Sequence, residues 1–269
     1  QAMSSAASDV YKRQVDRQCG SSQQAIHFAA QAVMSGTQDV VIAGGVEAMS
    51  MVPIGASVKD GFDAGHGFPF NADGIAARYP GVFFSQFTGA ELVADKWNLS
   101  REDLDIFALQ SHQKAKHATE MKYFDSEILP LAGKNEHNDT DMVFADEGIR
   151  FDASIEALAG LKTVVEGGVI TPGNASQITD GAAAIMICND DGLKKIKCDP
   201  RAKITALSVV GDDPVFMLTG PIPASHKVLA RANLNIDDMD LYEVNEAFAP
   251  VPLAWAKELN ADTVSYTHL

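Results

Sequence analysis

The chain has 269 residues and a formal net charge of −15 at pH 7, with 46% hydrophobic and 21% charged residues. Those values suit a globular protein with a substantial core, and the acidic balance argues against nucleic-acid binding while leaving a local phosphate site open. Cys19, Cys188 and Cys198 make neither a disulfide framework nor a CxxC pair, and no Cys/His cluster has zinc spacing. No apolar run reaches the roughly 20 residues of a membrane span, so a reducing, cytoplasmic setting without a metal is expected.

In chain order, residues 1–14 show no period and read as a non-native tail, as do residues 263–269. After Cys19-Gly20-Ser21-Ser22, which supply small and capping residues, Ile26, Ala29, Ala30, Val33 and Met34 recur at helical spacing. That spacing predicts a helix over 23–35, ended by Gly36. An apolar strand over 39–45 suits a sheet covered on both faces. Residues 51–85 are rich in Gly, Pro, Phe and Asp, and read as a long ordered excursion. Ser100-Arg101-Glu102-Asp103 resembles a capping box opening a helix to about Met121, with Leu104, Phe107, Ala108, Ala115 and Ala118 on one face. Residues 125–170 are charged and loop-like. Strands are expected over 181–188, 202–210 and 241–244, and helices over 223–232 and 247–259, where Pro250 and Pro252 fall in the first turn. Strands alternating with helices predict an α/β fold with largely parallel sheet. A strand leading to Cys19 at one helix start, and another leading to Asn245, suggest two related halves.

Cys19 is the most informative position. At a helix N-terminus the unpaired N–H groups and the macrodipole favour a thiolate, and the small residues after it leave room for a substrate. Context alone leaves open both a nucleophile and a small core cysteine. Cys188, inside an apolar strand, and Cys198, before Asp199-Pro200, read as structural or incidental, and none of the seven histidines falls in a catalytic context.

The stretch Val15-Asp16-Arg17-Gln18-Cys19-Gly20-Ser21-Ser22-Gln23-Gln24-Ala25-Ile26 resembles the thiolase nucleophile motif, with Asp16 where the family more often has Asn. Gly44-Gly45-Val46-Glu47-Ala48-Met49-Ser50 is similar to the family's GG-x-E-x-MS segment, which leads into its loop domain. Residues 171–184, Gly220-Pro221-Ile222-Pro223-Ala224-Ser225 and Asn245-Glu246-Ala247-Phe248-Ala249 resemble three further signatures in the family's order.

The resemblance implies a layered α-β-α-β-α thiolase-like fold with two related halves and an inserted loop domain, here incomplete. Residues 15–50 and 177–200 would belong to the N-terminal half, 51–176 to the loop domain and 201–262 to the start of the C-terminal half. It implies an acyltransferase of fatty-acid metabolism and β-oxidation: a thiolase that cleaves 3-ketoacyl-CoA, or condenses two acetyl-CoA, through a Cys19 acyl-enzyme. Asn245 would hold an oxyanion-hole water, the alternative being a helix cap. Ser176, Ala247 and Phe248 would lie along the pantetheine arm, although turn chemistry at Pro172-Gly173-Asn174 also explains that stretch. Lys162 would sit near the nucleotide end, or be a solvated surface lysine. Coenzyme A is then a substrate, with no cofactor, and the full-length partner is a second copy in a homodimer or homotetramer. The family's GHP histidine and second cysteine lie downstream of the residues present here, so the chain by itself is expected to be inactive. A non-catalytic acyl-CoA- or lipid-binding member is the alternative.

Overall fold

The structure is a computed structural model that describes residues 13–134 and 140–262; the two expected tails fall largely outside the described residues. The chain divides into two compact units, one from residues 1–53 and 180–207, the other from 54–179 and 208–269. Residues 208–262 group with residues 54–179 in the second unit.

In the first unit a 3-10 turn, Gln18–Gly20, leads into α1, Ser21–Met34. The helix stops where the sequence indicates, since Gly36 adopts φ +72° and its N–H reaches the Val33 carbonyl at 3.1 Å. β1, Val40–Glu47, pairs antiparallel with β4, Gly181–Cys188, in the register Val40 to Cys188 through Glu47 to Gly181. Gly44 permits the close pairing, because a Cβ there would lie 3.0 Å from the Ala183 carbonyl oxygen. Ala29, Ala30 and Val33 of α1 pack on Ala43 and Ile187, burying one face of this ribbon. Its other face is open, with Ile42 69% and its register partner Met186 47% exposed. Just beyond the ribbon, the Ser50 N–H and hydroxyl both donate to Asp180, holding that carboxyl below its usual range. α7, Asp190–Ile196, follows, capped by Asn189, whose Oδ1 accepts from the Gly192 N–H at 2.8 Å.

The second unit is mainly helical. Four short turns, α2 (Ala56–Gly61), a π turn (Phe62–His66), a 3-10 turn (Pro69–Asn71) and α3 (Asp73–Arg78), make up the Gly- and Phe-rich excursion. α4, Gln86–Lys96, and α5, Arg101–Glu120, carry the core. The capping box at α5 is present: Ser100 Oγ accepts from the Asp103 N–H, and the Asp103 carboxylate accepts from the Ser100 N–H at 2.8 Å. A small hairpin pairs β2, Leu131–Lys134, with β3, Thr140–Val143, and α6, Ile155–Ala159, follows it. α8, Pro221–Ala232, and α9, Pro250–Leu259, each place a proline at the first turn. Ala90, Ala94, Leu99, Leu104, Ile170, Phe248, Ala249 and Val251 form one buried cluster, and Tyr242, Val244, Trp255 and Leu259 another.

Three expectations change. The strands among the described residues pair antiparallel, because an apolar run reports burial and carries no information on direction. Residues 202–210 form no strand; Ile204 and Leu207 instead pack against the α1 cluster from a segment without regular structure. Residues 241–244 contribute only a single bridge position, at Tyr242.

Leu104 is fully buried at the centre of its cluster. Leu104→Ala is expected to cost about 2–5 kcal/mol, read as a lower denaturant midpoint with little change in slope.

Candidate active site

Cys19 is exposed and lies within the 3-10 turn, with Gly20 as the N-cap of α1. The helix thus begins two residues earlier than its periodicity suggests, and the thiol sits just outside its first turn. Side chains of the motif itself hold that turn. Ser21 Oγ donates to the Gln18 carbonyl at 2.7 Å and accepts from the Arg17 N–H at 2.8 Å, while Asp16 accepts from the Gln18 N–H at 3.3 Å. Gln18 is thereby kept at φ +45°, in the left-handed region that most residues avoid. The Arg17 guanidinium reaches Gln24 Oε1 at 3.3 Å and fixes the turn to the second turn of α1. The strand expected to lead to Cys19 falls largely outside the described residues.

One helical turn beyond Gln24, His27 is 7% exposed, and its Nδ1 has no hydrogen-bond partner among the described residues. Burial, and then the Arg17 charge, push its pKa below the ordinary histidine value.

In the second unit the structure brings three of the expected coenzyme A-binding positions together. The Ser176 N–H donates to the Ala247 carbonyl at 2.9 Å and the Ala249 N–H donates to the Asn174 carbonyl at 2.9 Å. Between them Ala175 and Phe248 form an antiparallel bridge. The Ser176 side chain is exposed and Ala247 half-buried, so this edge can meet a ligand. Phe248 is different: its ring is 4% exposed and packs edge-on against Phe87 at 5.4 Å, which makes it a support for the edge. Asn245 is exposed, five residues before α9. The N-cap of that helix is Ala249, so Asn245 does not cap it. Lys162 is exposed beside a turn closed by the Val164 N–H on the Ile170 carbonyl, 2.8 Å.

Sequence reading missed the buried polar groups beneath this edge. Asp105 is 2% exposed; its Oδ2 accepts from Arg101 Nε at 2.7 Å and its Oδ1 from Asn174 Nδ2 at 3.1 Å. Asn174, 3% exposed, also donates to the Val169 carbonyl and accepts from the Thr171 N–H. From α4 the Glu91 carboxylate accepts the N–H groups of Val169 and Ile170 at 2.9 and 3.0 Å. The available signal was an acid between Leu104 and Ala108 on an apolar stripe, with an arginine four residues before it.

Comparison with known proteins gives the family. The thiolase N-terminal domain model matches residues 1–191 and the thiolase C-terminal domain model matches residues 198–266, so the chain belongs to the thiolase family. The steroid 3-ketoacyl-CoA thiolase FadA6 of Mycobacterium tuberculosis is 47% identical over 249 residues, which is 92% of this chain and 60% of that protein. The 3-ketoacyl-CoA thiolase of Aliivibrio fischeri is 39% identical over 247 residues, covering 91% of this chain and 61% of the relative. The crystal structure of human mitochondrial 3-ketoacyl-CoA thiolase superposes with a TM-score of 0.78 at 33% identity, over 94% of this chain and 64% of that one. The chain therefore spans about 60% of the length of these curated relatives. The fold is thiolase-like, and no helix among the described residues is long and apolar enough to cross a membrane.

Because His27 has a lowered pKa when folded, the unfolded chain binds more protons below about 6.5, its ordinary value. Stability is therefore complete above that pH and falls as the pH drops toward the folded pKa. Thermal melts between pH 7 and pH 5 should show His27→Leu losing less stability on acidification than the parent protein.

Proposed function

We propose that the full-length protein is an acyl-CoA C-acyltransferase that cleaves 3-ketoacyl-CoA with coenzyme A through a Cys19 acyl-enzyme. One observation carries the reading: the exposed thiol of Cys19 stands on a turn that its own motif holds in a strained backbone conformation. Ordered strain of this kind collects at functional sites, and exposure gives a thioester access to the sulfur.

The Cys19 sulfur attacks the 3-keto carbon. The C2–C3 bond breaks, its electron pair remains on C2 of the departing acetyl-CoA enolate, and a proton converts that enolate to acetyl-CoA. The shortened acyl group stays on Cys19 as a thioester until the thiol of coenzyme A, losing its proton, attacks the carbonyl and releases the Cys19 thiolate. Dividing the transfer this way replaces one difficult step by two easier ones. Asn245 would fix a water that donates to the enolate oxygen, where negative charge develops. The edge formed by Ser176 and Ala247 would receive the pantetheine arm, and Lys162 the nucleotide end.

The 47% identity to a protein named as a steroid 3-ketoacyl-CoA thiolase supports a bulky, degradative substrate over the two-acetyl condensation. The fatty-acid chains of β-oxidation are the alternative within the same chemistry. A cytoplasmic homodimer or homotetramer without a cofactor completes the proposal.

Cys19→Ala in the full-length protein should lower thiolysis of acetoacetyl-CoA at least about a thousandfold. Iodoacetamide should alkylate Cys19 before Cys198, the other exposed cysteine, as read by peptide mass mapping. Undiminished turnover in the alanine variant would rule out the acyl-enzyme and favour a binding role.

A further inference from the structure

The carboxylate of Asp105 is buried where an apolar side chain would complete the α5 stripe between Leu104 and Ala108. A buried ion pair contributes little net stability compared with an apolar replacement, so its retention calls for another reason. The geometry supplies one. Arg101 ties Asp105 to the far side of the same turn, because its guanidinium also donates to the carbonyls of Leu158 and Leu161. Those two leucines press on Gly173, where a Cβ would come within 2.5 Å of Leu161 Cδ1 and 2.6 Å of Leu158 Cδ2. On its other side the turn is held by the Asn174 amide. A carboxylate only accepts, so Asp105 forces the NH2 of Asn174 inward and leaves its Oδ1 for the Thr171 N–H. With the side chain so oriented, the Asn174 carbonyl faces the Ala249 N–H, and two residues on the Ser176 N–H faces the Ala247 carbonyl.

We propose that Asp105, braced by Arg101, is a positioning residue for the coenzyme A-binding edge, acting through Asn174 to set Ser176 against Ala247. The proposal rests on the functional reading above. Neither Asp105 nor Arg101 touches the ligand in this account; both fix the backbone that does. The turn they hold is also closed from α4 by Glu91, so three polar side chains define one short segment.

Asp105→Asn is the discriminating change, since it keeps the shape but turns a donor toward Arg101 or toward the Asn174 amide. In the full-length enzyme, thiolysis of acetoacetyl-CoA is measured against coenzyme A concentration and normalised to iodoacetamide-titrated Cys19. The KM for coenzyme A should rise about tenfold, the size expected for loss of one charge-assisted hydrogen bond, with kcat per titrated site within about twofold. Ser176→Ala should raise the same KM, and the double variant should exceed the larger single effect by no more than about twofold, because both act on one path. Arg101→Lys, which keeps the charge but loses the planar fork, should give a smaller rise and serves if Asp105→Asn does not fold. An unchanged KM, with activity falling only in step with titratable Cys19, would reduce the network to a fold-holding role and overturn the proposal; fully multiplicative single effects would do the same. A parent enzyme that lacks thiolysis altogether would instead sink the functional reading.

Discussion

One carboxylate, taken out of water and shared between an arginine and an asparagine, organises the larger unit of this protein. Removing Asp105 from solvent carries a desolvation cost of several kcal/mol that its partners must offset. Both oxygens are therefore engaged, by Arg101 and by Asn174, and each of those partners is committed in turn to main-chain groups of residues 158–174. Glu91 satisfies the Val169 and Ile170 N–H groups, which lie in a segment without helix or strand. Helices α4 and α5 thus define an irregular turn as firmly as they define each other, and that turn presents the edge on which Ser176 and Ala247 meet.

The turn that carries Cys19 is built by the opposite strategy. Around Cys19 the contacts are local: Asp16, Arg17, Ser21 and Gln24 all lie within eight residues, the first two exposed and Gln24 buried. Such a turn gains its definition from short-range hydrogen bonds and from seating on α1, which itself is anchored by small residues against β1 and β4. Gln18 at φ +45° is the strained member, and it directly precedes the thiol. The small residues Gly20 and Ser21 that follow the sulfur keep the approach open on that side. The two expected parts of the site thus rest on different physical devices, a locally stapled turn and a remotely buried polar network.

Much of this was legible in the residues. The capping box at Ser100 and the stop at Gly36 are read from local rules, because their causes lie within four residues, whereas α8 and α9 begin at Pro221 and Pro250 and not at the expected 223 and 247. The motifs around Cys19 and Asn245 led to the family, which the domain matches then established. Strand direction was not legible, since β1 and β4 are apolar whichever way they pair. Nor was the position of Asn245 outside α9, where Pro250 rather than the asparagine marks the start. The Asp105 network was hidden for a plainer reason: its partners are 69 residues apart in sequence, and no periodicity reports a hydrogen bond across that distance.

The pairing of β1 with β4, sealed at its end by Ser50 and Asp180 across 130 residues, has a consequence for how the molecule comes into being. On the ribosome, α1 and β1 emerge long before the strand that completes their layer. Until residues 181–188 follow, Val41 and Ala43 lack Ile187 and the apolar ribbon has a bare hydrogen-bonding edge. The intervening segment, by contrast, can begin to collapse on the contacts that α4 and α5 make with the turn at residues 169–174. Closing the long loop costs chain entropy that grows only slowly with length, but it delays the nascent cysteine-bearing layer. A chaperone acting during synthesis would therefore find its natural client in α1 and β1, whereas the helical insertion is equipped to order itself.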